Sequence, residues 1–332
     1  MKIGILGAGT WGIAIARMLS NNGNDVTVWS AVSSEIDELN STRICKKLDC
    51  LTIPQNIIFT KNLNDATIDS EIIVIAVPSI FVRSVATQLK GAVKDSSIIV
   101  NLSKGIEPGT YYMMTEVIAD AMELDDNKKT KIVALSGPTH AEEVAKDMPT
   151  TIVSACEDKQ TAEKIQNIFS NACMRVYTNT DIKGVELCGA LKNVMALAAG
   201  MSDGLGFGDN AKAAIITRGI TEIARLGRAM KCDYKTFYGL SGVGDLIVTA
   251  TSRHSRNNKA GYLIGTGCTA KEATERVGMV VEGLNALEAA VGLAEKYNVE
   301  MPIVSAVNEV VNGSKKPYLV VRELMARDFK NE

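Results

Sequence analysis

The sequence predicts an α/β protein, with a doubly wound parallel sheet in residues 1–180 and a mostly α-helical second domain in residues 181–332. Three observations carry this expectation. Short β-branched runs alternate with helical patterns through the first half, as in a parallel sheet covered by helices on both faces. A glycine-rich turn, Gly7-Ala8-Gly9-Thr10-Trp11-Gly12, separates the first strand run from the first helical run. After about residue 180 the strand runs stop, and helical runs with glycine-rich breaks take over.

In chain order, strands are expected at Lys2–Leu6, Asp25–Trp29, Ile57–Thr60, Glu71–Ala76, Ser97–Asn101, Lys131–Leu135, Thr151–Ala155 and Arg175–Thr178. Several are near-continuous Ile/Val runs, the pattern of strands buried on both faces. Helical patterns cover Gly12–Asn21, Ser34–Leu39, Phe81–Leu89, Tyr111–Met122 and Gln160–Phe169. In the second half they cover Val185–Met201, Asn210–Met230, Asn257–Ile264, Glu282–Tyr297 and Ser305–Asn312. A chain of 332 residues is long enough for two domains sharing a cleft. With no repeat and no low-complexity tether, the two are expected to meet at a helix.

The glycine turn fits G-x-G-x-x-G, a weak signal alone. Here it follows the strand Ile3-Gly4-Ile5-Leu6, opens a helix, and precedes a second strand at Asp25–Trp29. In that setting Gly7 permits the tight turn, Gly9 lets the backbone approach a pyrophosphate, and Gly12 lets the helix pack on the strand. The unpaired N–H groups at the helix start then bind the phosphates. A nicotinamide dinucleotide is therefore the expected cofactor of a Rossmann-type domain.

Composition narrows the function. A net charge of -2 with 22% charged residues leaves no electrostatic footprint for a globally basic nucleic-acid or membrane binder. The seven cysteines are scattered without a C-x-x-C pair, which fits a reducing cytoplasm and predicts neither a disulfide framework nor a metal site. The apolar start, Ile3–Leu19, carries Arg17 and fingerprint glycines rather than a leader's cleavage site. No run reaches membrane-spanning length, so a soluble cytoplasmic protein is expected.

The candidate chemistry lies further along. Ser103-Lys104-Gly105 and Ser136-Gly137-Pro138-Thr139 each follow a strand, and ligands of doubly wound sheets sit beyond the carboxyl ends of strands. From Leu187 to Gly200, Lys192 and Asn193 are the only polar side chains. A helix apolar nearly all round is buried. A lysine there needs a partner, a cavity or a lowered pKa, and such a group is suited to proton exchange with a carbonyl or hydroxyl oxygen. Snorkelling to the surface is the bland alternative. Gly242-Val243-Gly244-Asp245 suggests a tight turn projecting Asp245. Ser255-Arg256-Asn257 places hydroxyl, guanidinium and amide groups at a helix start, an arrangement suited to phosphate. The only histidines, His140 and His254, adjoin these segments and rank below Lys192 as acid or base.

Together these segments, with Gly189-Ala190-Leu191-Lys192-Asn193 and Val281-Glu282-Gly283, resemble bacterial NAD(P)-dependent glycerol-3-phosphate dehydrogenase over nearly the whole chain. The resemblance implies reversible hydride transfer between NAD(P)H and dihydroxyacetone phosphate, giving sn-glycerol 3-phosphate for phospholipid synthesis. It implies Lys192 as general acid/base, with Asp245 orienting it and bonding substrate. It implies Lys104, Gly137, Thr139, Ser255, Arg256 and Asn257 around the substrate. The cofactor would touch Gly7, Gly9, Thr10, Trp11, Gly12, Lys104, Ala141, Arg256, Val280 and Glu282. A homodimer is left open as the assembly. Thr139 stands where that family commonly has Ser. Ser30-Ala31-Val32 stands where it usually offers Arg or His beside the adenosine ribose, and the first acid, Glu35, falls in the next helix. Weak discrimination between NADH and NADPH follows, unless Arg43, Lys46 or Lys47 folds over the ribose.

Two other readings compete. A two-domain hydroxy-acid dehydrogenase would also use a helix lysine, and Ser255-Arg256-Asn257 is the feature that discriminates against it. A non-catalytic dinucleotide-sensing module would have no use for a buried lysine beside an acid.

Overall fold

A computed structural model describes residues 1–129 and 131–328. The chain divides into two compact units, Met1–Lys104 with Tyr112–Glu186, and Gly105–Tyr111 with Leu187–Glu332.

Among the described residues the first unit holds ten strands: β1 (Lys2–Leu6), β2 (Asp25–Trp29), β3 (Ile44–Cys45), β4 (Leu51–Thr52), β5 (Ile58–Thr60), β6 (Ile72–Ile75), β7 (Ile98–Asn101), β8 (Ile132–Ser136), β9 (Thr150–Ala155) and β10 (Met174–Asn179). Eight of them form one sheet in the order β10-β9-β8-β7-β6-β1-β2-β5. All eight coincide with runs expected from sequence. The reason is visible in β6, where Ile72 and Val74 enter one apolar cluster and Ile73 and Ile75 enter another. Both faces are covered, so the strand carries no polar alternation.

The chain runs outward from β1 through β2 to β5 and returns to pair β6 with the other edge of β1. That reversal is the topological switch point, where ligands of such sheets bind.

The sheet departs from the expected all-parallel arrangement at one pairing. β8 and β9 are antiparallel. The connection over residues 137–149 holds only the four-residue helix Ala141–Val144. A parallel return usually carries a full helix across the sheet, which four helical residues do not supply. The small β3–β4 hairpin was not anticipated either; two-residue strands leave no periodic signal.

The second unit is helical. The helix Ile182–Gly204 leads into it, followed by Asp209–Ala229, Tyr234–Phe237, a π-helical segment Leu240–Gly244, and helices Asp245–Thr251, Arg256–Gly265, Ala270–Val277, Glu282–Lys296, Pro302–Val311 and Pro317–Met325. Every residue from Val185 to Ser202 is buried, as the apolar pattern requires. Helix Arg256–Gly265 packs against it at backbone distance. A Cβ on Gly200 would fall 2.0 Å from the Asn258 carbonyl, and one on Gly261 would fall 2.1 Å from the Leu197 carbonyl. Glycine on both helices is the condition for that approach. The buried Glu222 accepts backbone N–H bonds from Ile303 at 2.8 Å and Val304 at 3.4 Å, closing the start of Pro302–Val311. None of the described helices is long and apolar enough to cross a membrane.

Candidate active site

The expected site residues fall into two groups, one in each unit. In the first unit, Gly7 turns the chain out of β1 at φ +126°, where a Cβ would lie 2.6 Å from the Ala76 carbonyl. Gly9 precedes the helix Thr10–Asn21 as its N-cap and supplies no side-chain cap. The first-turn N–H groups of a helix have no intrahelical partner. A Cβ on Gly12 would fall 2.0 Å from the Gly7 carbonyl, whereas one on Gly9 meets nothing within 4 Å. The space above Gly9 is therefore an open cradle over free N–H groups, which fits a dinucleotide pyrophosphate. Thr10 and Trp11, in that first turn, are partly exposed.

Substituting alanine should separate the glycines' roles. Gly9→Ala has extended backbone, φ -67° and ψ 172°, and open space around it. It is expected to shift Tm by no more than about 2 °C while weakening NADH binding at least about tenfold. Gly12→Ala is expected to lower Tm clearly, since the backbone at Gly7 must move. Thermal melts and a fluorescence titration with NADH distinguish the two.

At the carboxyl ends of β7 and β8 the structure brings two expected segments together. Lys104 Nζ donates to the Gly137 carbonyl at 3.1 Å. Thr139 donates its hydroxyl to the same carbonyl at 3.2 Å. Gly137 has φ +157°, at the edge of what a side chain tolerates. Ala141 opens the short helix Ala141–Val144, and His140 is its N-cap residue.

Beyond β2 the structure adds what the sequence concealed. The helix there starts at Ser33, and the Ser30 hydroxyl donates to Glu35 Oε2 at 3.0 Å. An acid assigned to the helix thus reaches back to the strand end. Lys47 Nζ lies 3.7 Å from Glu35 Oε1, and Lys46 pairs with Glu38. Arg43 is committed elsewhere, donating to the carbonyls of Gln55 at 2.6 Å and Ile57 at 2.9 Å, with its guanidinium over Phe59.

In the second unit, Lys192 is 7% exposed and Asp245 only 1%. Its ammonium donates to Asp245 Oδ1 and, at 2.9 Å, to the Thr249 hydroxyl. Thr249 in turn donates to the Asp245 carbonyl at 2.6 Å. The lysine therefore has a partner and does not snorkel. Asp245 begins a helix rather than sitting on a tight turn. The preceding Gly242 serves packing, since a Cβ there would fall 2.0 Å from the Phe237 carbonyl. Thr249 escaped the sequence reading; its spacing of four from Asp245, one helical turn on, was the available signal.

The neighbouring Asn193 accepts from the Asn257 amide at 2.9 Å, and Asn257 Oδ1 accepts the Gly283 N–H at 2.8 Å. One asparagine thus ties the starts of Arg256–Gly265 and Glu282–Lys296 to the Lys192 helix. Ser255 caps its helix by accepting from the Asn258 N–H at 3.2 Å. Ser255 and Asn257 are buried with these partners, whereas Arg256, in the first turn, is exposed. Val280 and Glu282 flank the N-cap Val281 and are partly buried. Among the described residues no group of His, Cys, Asp and Glu is arranged to hold a metal.

Comparison with known proteins agrees across the chain. Residues 2–162 match the family model of the NAD-dependent glycerol-3-phosphate dehydrogenase N-terminus, and residues 181–322 match that of the C-terminus. Glycerol-3-phosphate dehydrogenase [NAD(P)+] 2 of Lactobacillus delbrueckii subsp. bulgaricus is 59% identical over 332 residues, covering 100% of this chain and 98% of that protein. The Fusobacterium nucleatum glycerol-3-phosphate dehydrogenase [NAD(P)+] is 49% identical, with the same coverage. The crystal structure of glycerol-3-phosphate dehydrogenase from Coxiella burnetii superposes with a TM-score of 0.92 at 35% identity, covering 98% of each chain. D-mandelate dehydrogenase with NADH shares the fold at a TM-score of 0.66 and 14% identity. With both halves matched in order and relatives aligned end to end, the chain belongs to the NAD-dependent glycerol-3-phosphate dehydrogenase family and is an NAD(P)-dependent oxidoreductase.

Proposed function

We propose that the chain reduces dihydroxyacetone phosphate to sn-glycerol 3-phosphate with Lys192 as the proton donor. The observation that carries this reading is the buried Lys192–Asp245–Thr249 cluster on an otherwise apolar helix. The dinucleotide, when bound, supplies the hydride. Lys192 Nζ gives its proton to the carbonyl oxygen as that oxygen becomes an alkoxide, and takes it back in the reverse direction. Asp245 holds the ammonium in place and bonds the substrate, and Thr249 limits the rotation of both.

Arg256 takes the phosphate, with Ser255 and Asn257 fixing the helix start from which it reaches. Phosphate binding remote from the carbonyl supplies energy for positioning. Lys104, Gly137 and Thr139 also hold the substrate. Gly7, Gly9 and Gly12 admit the pyrophosphate, and Thr10, Trp11, Lys104, Ala141, Arg256, Val280 and Glu282 contact the cofactor. In this reading residues 1–180 are the dinucleotide-binding domain and residues 181–332 the substrate domain. The product serves glycerophospholipid synthesis in the cytoplasm. No step of the scheme calls for a metal. NADH oxidation followed at 340 nm with dihydroxyacetone phosphate and with 2-keto acids tests it. Faster turnover of a keto acid would transfer the chain to the hydroxy-acid reading, and no turnover of any ketone to the sensing one.

Cofactor preference follows from the end of β2. Glu35 disfavours a 2′-phosphate there, and Lys47 beside it offsets that charge. The kcat/KM values for NADH and NADPH are therefore expected to lie within about tenfold of each other, or roughly 1.4 kcal/mol. Glu35→Gln should move the ratio toward NADPH and Lys47→Ala toward NADH. Steady-state kinetics at saturating dihydroxyacetone phosphate check this, and a hundredfold preference for either cofactor in the unmodified enzyme would overturn it.

A further inference from the structure

Glu186 belongs to no part of this scheme, yet it is an acid only 6% exposed. Burial pushes its carboxyl up to about 7, against the opposing hydrogen bonds of Thr115 and Asn101. A group so costly to bury calls for a structural account. Its Oε1 accepts from Asn101 Nδ2 at 3.1 Å and from the Thr115 N–H at 3.0 Å, and its Oε2 accepts from the Thr115 hydroxyl.

Asn101 is the last residue of β7 and closes on the turn that follows. Its Nδ2 also donates to the Ser103 carbonyl at 2.9 Å, while its Oδ1 accepts the Ser103 N–H at 3.0 Å. The Ser103 hydroxyl anchors the same turn on the Val77 carbonyl at 2.5 Å. The next residue is Lys104, whose ammonium reaches the Gly137 carbonyl.

Both amide hydrogens and the amide oxygen of Asn101 are therefore used. Turning that amide over would set its NH2 against the Ser103 N–H and its oxygen against Glu186 Oε1, which stays an acceptor because it also takes the Thr115 N–H. Each of those is a mismatch of like groups. Glu186 thereby adds to what holds the Asn101 amide in its working orientation.

We infer that Glu186 is a positioning residue: by orienting the Asn101 amide it fixes the Ser103 turn, and with it the place from which Lys104 reaches the substrate. The inference rests on the reading that Lys104 holds the substrate. It predicts that Glu186 matters to catalysis only while Lys104 is present.

A double-mutant cycle with Glu186→Ala and Lys104→Ala, read as KM and kcat for dihydroxyacetone phosphate, tests this. Lys104→Ala is expected to raise KM about tenfold or more, as loss of a charge-assisted contact does. Glu186→Ala should raise KM in the same direction, and the double variant should be within about twofold of Lys104→Ala alone. Glu186→Gln keeps an acceptor for Asn101 and for the Thr115 N–H, so its KM should stay within about threefold of wild type.

Effects of Glu186→Ala and Lys104→Ala that multiply would overturn the inference, because a merely structural role acts independently of Lys104. So would a Glu186→Ala enzyme with unchanged KM while Lys104→Ala is impaired, or a glutamine variant as damaged as alanine. An unchanged KM in Lys104→Ala would instead remove the substrate reading beneath it. Should Glu186→Ala fail to fold, Asn101→Ala replaces it in the same cycle with the same expected non-additivity.

Discussion

Replacing Lys192 with alanine is expected to lower kcat by about 10²–10⁴, the usual cost of losing a general acid/base, while NADH still binds. The dinucleotide cradle at Gly7–Gly12 lies in the other unit. The variant also leaves Asp245, 1% exposed, without its cation. Stranding a buried charge typically costs about 3–5 kcal/mol, so Tm should fall as well. Lys192→Met with Asp245→Asn removes both charges together and should recover much of that stability without recovering turnover. The comparison separates chemistry from folding. Retention of more than about a tenth of wild-type kcat by a folded Lys192→Ala enzyme would mean that another group moves the proton.

Arg256→Ala should act through the phosphate. Its loss is expected to cost about 1.5–3 kcal/mol, or roughly 10- to 150-fold in kcat/KM for dihydroxyacetone phosphate. Unphosphorylated dihydroxyacetone should lose much less. Arg256 is exposed, and the cap that holds its helix is made by Ser255 and Asn258. Tm should therefore change by no more than about 2 °C. Equal losses on the two ketones would show that Arg256 does not read the phosphate. Because the same residue is proposed to touch the cofactor, the NADH dissociation constant belongs in the same experiment.

The legible parts of this protein were those whose signal is local. Ile72–Ile75 and Ile98–Asn101 are strands covered on both faces, and an unbroken apolar run of that length has few other uses. The glycine fingerprint was readable because a strand and a helix frame it. The helix carrying Lys192 was readable as buried because it lacks a polar face. Elsewhere local cues misled or fell silent. Gly242 and Gly244 suggested a turn, whereas Gly242 is there to let the backbone pass the Phe237 carbonyl. β9 resembled its parallel neighbours, and only the pairing in the folded sheet shows that it runs against β8. Glu35 read as a helix acid and Glu186 drew no notice, because neither Ser30 nor Asn101 announces a carboxylate partner.

The sequence by itself determined the doubly wound sheet, the dinucleotide turn, the helical second half and the presence of one buried lysine in need of a partner. Each is written in the periodicity or residue chemistry of one short segment, which reports how that segment divides between water and core. The family resemblance pointed to Asp245 as the lysine's partner, but no local pattern does; the tertiary structure brings the two together and adds Thr249. Asp245 lies 53 residues beyond Lys192, and Asn257 lies 64 beyond Asn193. Asn257 meets Asn193 because Gly200 and Gly261 let helices Ile182–Gly204 and Arg256–Gly265 close to backbone contact. Periodicity within either helix records only that each has a buried face; which face meets which is set by the packing of the two together.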